Sequence, residues 1–151
     1  MGIVDEIIVA CKTVLDTLLT DYSQLPYQYN ILQNNDKDID RGYSLAAGGA
    51  SFVAGRSIGF TTIDHEFILT LVNTYNNRDC DDDLQKVLNE QYALVQNVLK
   101  ELQKSRLQLP TPSNRVLLIS GLNIDEPEIL AENNSVVLRA NLNIQYNYQN
   151  N

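Results

Sequence analysis

The chain has 151 residues, 44% apolar and 20% charged, with 11 basic against 19 acidic side chains and a net charge of −8. That length and composition describe one globular domain, residues 1–151, large enough to bury a core without disulfide or metal staples. The acidic balance argues against holding nucleic acid by neutralising phosphates and against docking on anionic membrane. No apolar run approaches the ~20 residues of a membrane span.

The first segment, residues 3 to 20, repeats apolar positions at helical spacing: Val4, Ile7, Ile8, Cys11, Val14, Leu15, Leu18 and Leu19. Pro26 closes it off. Tyr27, Tyr29 and Ile31 form a short alternating run, and Asn34 to Asp38 reads as a polar turn. Gly42 to Ala47 predicts a second short strand, and the glycine-rich stretch from Gly48 to Gly59 a flexible loop or wide hairpin tip. Phe60 to Tyr75 predicts a long strand, with Ile63, His65, Phe67, Leu69 and Leu71 on one side.

A second helix starts at Asp81, Asp82 and Asp83 and ends near Lys100, Lys104 and Arg106, charge clusters that complement its dipole. Its stripe of Leu84, Val87, Leu88, Val95, Val98, Leu99 and Leu102 is suited to packing on a sheet, and Pro110 and Pro112 stop it. Arg115 to Leu122 predicts a short apolar strand, and Asp125 to Glu132 a turn or one helical turn around Pro127.

Ser135 to Gln149 alternates almost without error. Val136, Leu138, Ala140, Leu142, Ile144, Tyr146 and Tyr148 fall on one face, and Val137, Arg139, Asn141, Asn143, Gln145, Asn147 and Gln149 on the other. At ~3.3 Å per residue this strand would span roughly 45 Å, against a usual ~17–20 Å. A strand that outruns a small core calls for a partner beyond it. Its second face is mostly amide rather than charged, and so is able to pair with another surface. The order of elements predicts an α+β fold: an antiparallel, strongly twisted sheet with two main helices packed on one face.

Motifs with chemical meaning fail in context. Gly55-Arg56-Ser57-Ile58-Gly59 matches a nucleophile elbow, but strand-like residues follow it where a helix is required, and the only histidine, His65, is eight residues on. Residues 50 to 57 imitate a phosphate-binding loop with Ala50 for its first glycine and Arg56 for its lysine. Asp79, Asp81, Asp83 and Glu90 hold calcium-loop positions, yet Leu84 stands where the turn needs glycine; the Asp36, Asp38, Asp40 run fails at Ala47. The Tyr146 and Tyr148 pair lacks interleaved basic residues for base stacking, and His65 reads as a packed or interface histidine. Cys11 and Cys80 make neither a disulfide framework nor a zinc pattern, which fits synthesis in a reducing cytoplasm. Met1 to Glu6 lacks the basic region of a secretory leader, and Glu6 stands where myristoylation needs Ser or Thr. No catalytic residue, cofactor or metal is expected.

The layout as a whole resembles the tail-terminator and neck proteins of long-tailed bacteriophages. The resemblance is carried by the amphipathic first helix, by Gly42-Tyr43-Ser44-Leu45-Ala46-Ala47-Gly48-Gly49 and by His65-Glu66-Phe67-Ile68-Leu69-Thr70-Leu71. The long second helix and Val136-Val137-Leu138-Arg139-Ala140-Asn141-Leu142 complete it. It implies a structural virion protein, made in the host bacterial cytoplasm, that closes into a ring, usually a hexamer. The ring would cap the tail tube, meet neck or connector proteins, and pass DNA through its lumen without specific binding. The residues expected at ring contacts are Gly48, Gly49, Arg56, Arg139, Asn141 and Asn143, with Arg56 and Arg139 as cross-subunit ion partners. The alternatives are another head-completion protein (a connector-bound protein or stopper), a small serine hydrolase using Ser57 and His65, and a non-viral interaction domain.

Overall fold

A computed structural model describes residues 2–24, 41–53, 59–75, 81–105, 107–130 and 134–149. The expected strand at Tyr27 to Ile31, the turn at Asn34 to Asp38, and Arg56, Ser57, Asp79 and Cys80 lie outside these residues. The described elements run α1 (Ile3–Leu18), β1 (Ser23–Gln24), β2 (Arg41–Phe52), β3 (Phe60–Thr74), α2 (Asp81–Ser105), β4 (Arg115–Ile124), β5 (Glu128–Leu130) and β6 (Ser135–Gln149). The class is α+β. The sheet order is β1-β2-β3-β6-β4, with β5 also on β6. Every described pairing is antiparallel except β1 with β2, which makes the sheet mixed.

Alternation decides which face is covered. Along β3 and β6 the pairs Leu71–Leu138, Leu69–Ala140, Phe67–Leu142, His65–Ile144 and Ile63–Tyr146 form one row, all on the same side. Ile7, Cys11 and Leu15 of α1 and Val95, Val98 and Leu102 of α2 pack on that row to make the core. Burial pushes the Cys11 thiol up to about 12, so it is an inert apolar side chain at neutral pH. α1 stops at Leu18, one residue short of its apolar pattern. Leu19 leaves helical geometry yet stays buried, and a tight turn (Tyr22 N–H to the Leu19 carbonyl, 3.0 Å) brings Tyr22 back over the sheet. There the amide of buried Asn73 joins Tyr22 to Gln91 of α2, which donates to Asn73 Oδ1 at 2.8 Å and to the Val136 carbonyl at 3.2 Å. These bonds fix α2 against the start of β6.

The other end of α1 is tied down by a buried carboxylate. Glu6 accepts from the Thr111 N–H (3.2 Å), the Thr111 hydroxyl (2.5 Å) and the Asn114 amide (2.7 Å), which clamps the turn between α2 and β4 onto the helix. These donors hold its carboxyl below the ordinary glutamate value of 4.5. A depressed folded-state pKa means the unfolded chain binds the proton more readily. The clamp therefore adds stability above about pH 4.5 and loses it as pH falls through the folded value. Glu6→Gln is expected to be less stable than wild type at pH 7 and to lose less on acidification. Urea midpoints at pH 7, 4 and 3 would show the two curves converging; parallel curves would mean the carboxylate does not contribute in this way.

Two local expectations are corrected. The glycine-rich stretch does not loop out at Gly48, because β2 continues to Phe52. Its register slips between Ala47 and Ala50, a bulge that uses the glycines to bend the strand rather than end it. The Asp125 to Glu132 segment is not a simple turn either. Glu128–Leu130 pairs with Ser135 to Val137 as β5, held by the Asp125 N–H on the Arg139 carbonyl and by a Glu128–Arg139 ion pair of 3.0 Å.

Candidate assembly surface

Among the described residues, three sheet surfaces remain outside the helix-covered core. The first is the β2–β3 arm beyond the bulge. Past Gly48 the residues of β2 are exposed, and Phe52 is 77% exposed although it continues the core-side row through its pairing with Ile63. The bulge places it there: the extra residue reverses the strand's parity, so Ala50 and Phe52 follow Tyr43, Leu45 and Ala47 on one side. Phe60, 41% exposed, sits on the opposite side of the same arm.

The second is the sheet face away from the helices. Its rows run Ala46–Ile68–Asn141–Asn123, then Glu66–Asn143–Ser120, then Ser51–Asp64–Gln145–Leu118. Ile68, Glu66, Asp64, Asn141, Asn143 and Gln145 are all half-buried. Towards its other end this face is closed, with Ser44, Thr70, Val72 and Val137 buried. Amides both donate and accept, so the open part can bond a partner of either polarity.

The third is the β4 edge, where Leu117 (49%) and Leu118 (56%) are exposed. Register slips at Val116/Leu118 and Gly121/Asn123 break the edge, and the Gln103 amide of α2 donates to the Ile119 carbonyl at 2.9 Å. Such devices hinder open-ended strand pairing while leaving the leucines presented. Gly121 forms the floor of a cleft of about 340 Å³ against Val95, Leu99, Ala140 and Leu142; a Cβ there would meet Leu99 Cδ2 at 2.9 Å. Among the described residues, that cleft and the one of about 470 Å³ beneath Leu117 are lined by no ionisable side chain.

Of the residues expected at ring contacts, Gly48 is half-buried within the bulge and Gly49 is exposed beside it, while Arg56 is outside the described residues. Arg139 spends its guanidinium on Glu128 of the same chain. Asn141 and Asn143 are neighbours on the open face. Asn143, however, stands opposite Glu66, and like charges directly across a sheet cost ~0.2–1 kcal/mol. Asn143→Asp is thus expected to destabilise the isolated subunit by about 0.5–1 kcal/mol. Asn141→Asp, opposite Ile68 and Asn123, should stay within ~0.5 kcal/mol of wild type in urea denaturation. Equal losses from the two would remove Glu66 as the cause.

Both ring nitrogens of His65 are engaged, with the Tyr146 hydroxyl 2.9 Å from Nδ1 and the Gly48 carbonyl 3.1 Å from Nε2. Among the described residues, no three His, Cys, Asp or Glu side chains gather in a way that would hold a metal ion, and no helix is long and apolar enough to cross a membrane. The exposed Leu117 and Leu118 escape sequence reasoning because each looks like a core position until the bulges are known, and Phe52 because it falls in a stretch that reads as a loop.

No family model matches the chain, and no curated protein does. Among solved structures it is similar to a chain from the virion of a native gene transfer agent particle, with a TM-score of 0.58. The match covers 97% of this chain and 98% of that one at 12% identity, so the likeness is one of fold, from end to end.

Proposed function

We propose that this chain is a structural subunit of a virion, a tail terminator that closes into a ring, caps the tail tube and joins it to the neck. The observation that carries the reading is the end-to-end fold likeness to a virion chain. The distribution of contact surfaces supports it. An exposed arm at one side of the sheet and a presented apolar edge at the other suit head-to-tail association, which closes into a ring when the rotation allows. The reading is of a non-enzymatic protein whose partners are copies of itself, a tail tube protein and neck or connector proteins. A subunit with a net charge of −8 suits a conduit that lets DNA pass without gripping phosphate.

Light scattering and electron microscopy of the purified protein, alone and with tail tube subunits, test the proposal. A closed ring, a hexamer on this reading, is the expected particle, and it binds the tube. A strict monomer under both conditions would overturn it, and a ring that bound only portal components would be a stopper instead.

A further inference from the structure

His65 is the single histidine of the chain and lies buried in β3, 7% exposed. A neutral imidazole offers one donor and one acceptor. The Gly48 carbonyl 3.1 Å from Nε2 can only accept, so Nε2 carries the proton and donates to it. Nδ1 is then the acceptor, and the Tyr146 hydroxyl at 2.9 Å donates to it. The ring is also held between aromatic neighbours, its centroid 4.6 Å from that of Phe67 and 5.9 Å from that of Tyr146.

The position of these contacts matters more than their number. Gly48 and Gly49 are the residues left outside the register between Ala47–Phe67 and Ala50–His65. A bulge bends its strand and raises the local twist. Here the bulged carbonyl is linked through His65 to a tyrosine on β6, the strand on the far side of β3. The glycine is also pressed close from the other side, since a Cβ at Gly48 would lie 3.3 Å from the Glu66 carbonyl oxygen. Everything on β2 past this point, Gly49 to Phe52, is exposed.

We propose that His65 is a positioning residue that aims the β2–β3 arm. By clamping the Gly48 carbonyl to Tyr146 it fixes the angle at which Gly49 to Phe52 of β2 run out along β3, and with it the place of Phe52. An arm ordered before contact avoids the entropy of ordering it at assembly. Only that last consequence rests on the ring reading.

Hydrogen exchange of the whole protein tests the clamp, because the Val53 N–H donates to the Thr62 carbonyl and alternation along the pair puts the Ser51 and Thr62 amides in bonds across β2 and β3 as well, all of which exchange when the arm opens. His65→Leu is expected to speed exchange of the Ser51, Val53 and Thr62 amides about tenfold, while Val136 to Leu142 keep their rates. Tyr146→Phe, which leaves the bond to Gly48 in place, should give a rise of about threefold. Leu15→Ala, a core truncation in α1, supplies the pattern of mere destabilisation, with arm and centre accelerating together. Unchanged arm rates in His65→Leu, or a rise in the proportion seen for Leu15→Ala, would overturn the proposal. Should His65→Leu fail to fold, unchanged arm rates in Tyr146→Phe would do the same. A wild-type protein that never assembles would count against the ring alone, since the exchange pattern still decides what His65 does.

Discussion

Replacing Phe67 by alanine is expected to cost about 3–5 kcal/mol, a large share of the ~5–15 kcal/mol that holds a domain folded. Phe67 is fully buried in β3, between Ala47 of β2 and Leu142 of β6, and its ring packs on His65. Truncation removes the buried area and leaves a cavity that paired strands on both sides cannot close. Urea denaturation should show a lower midpoint with an unchanged slope. A loss below ~1 kcal/mol would mean that the centre of the sheet is not close-packed around this ring.

Phe52→Asp is expected to act in the opposite way, sparing the fold and abolishing assembly. A side chain 77% exposed contributes within ~0.5 kcal/mol to the isolated subunit. In an interface, aromatic anchors are worth ~2 kcal/mol or more, and a buried carboxylate adds its own penalty. Association should weaken by at least ~30-fold, read by sedimentation across a concentration series with thermal melts as the control. The matched variant at the other side of the sheet, Leu118→Asp, should behave alike if the two edges meet. A ring that survived Phe52→Asp and fell apart with Leu118→Asp would place the contact at β4 without the arm.

How much of this was legible in the sequence depended on whether a strand keeps its parity. β3 and β6 run without a register slip against each other over fifteen pairs, so alternation alone assigned their buried faces. α1 and α2 announced themselves through their apolar spacing, and α2 also through its terminal charges. β4 did not. Its core-side residues are Val116, Ile119, Gly121 and Ile124, spaced by three, two and three because of two bulges. Alternation therefore cannot tell that Leu117 and Leu118 are exposed while Ile119 is buried. The tail of β2 failed for the same reason, compounded by glycines that read as loop residues. β5 is three residues long, too short to carry a periodic signal. Among the candidate contact residues, the amides of β6 were found by pattern. The engagement of Arg139 with Glu128 and of His65 with Gly48 and Tyr146 depends on pairings between distant segments that no local spacing encodes.

The sheet order carries a consequence for how the molecule is made. β6 comes last in the sequence of described strands yet lies inside the sheet, between β3 and β4, and pairs with β3 along its full length. Among the described residues β4 and β5 have no other strand to join. During synthesis the earlier part of the chain can pair β2 with β3, but β4 has no place to settle until the final strand arrives. Leu69, Leu71 and Phe67 then lack the neighbours that close their row. Folding governed by such long-range pairing is slow and leaves apolar surface open for longer. A chain cut before β6 would thus be prone to clump or to be degraded.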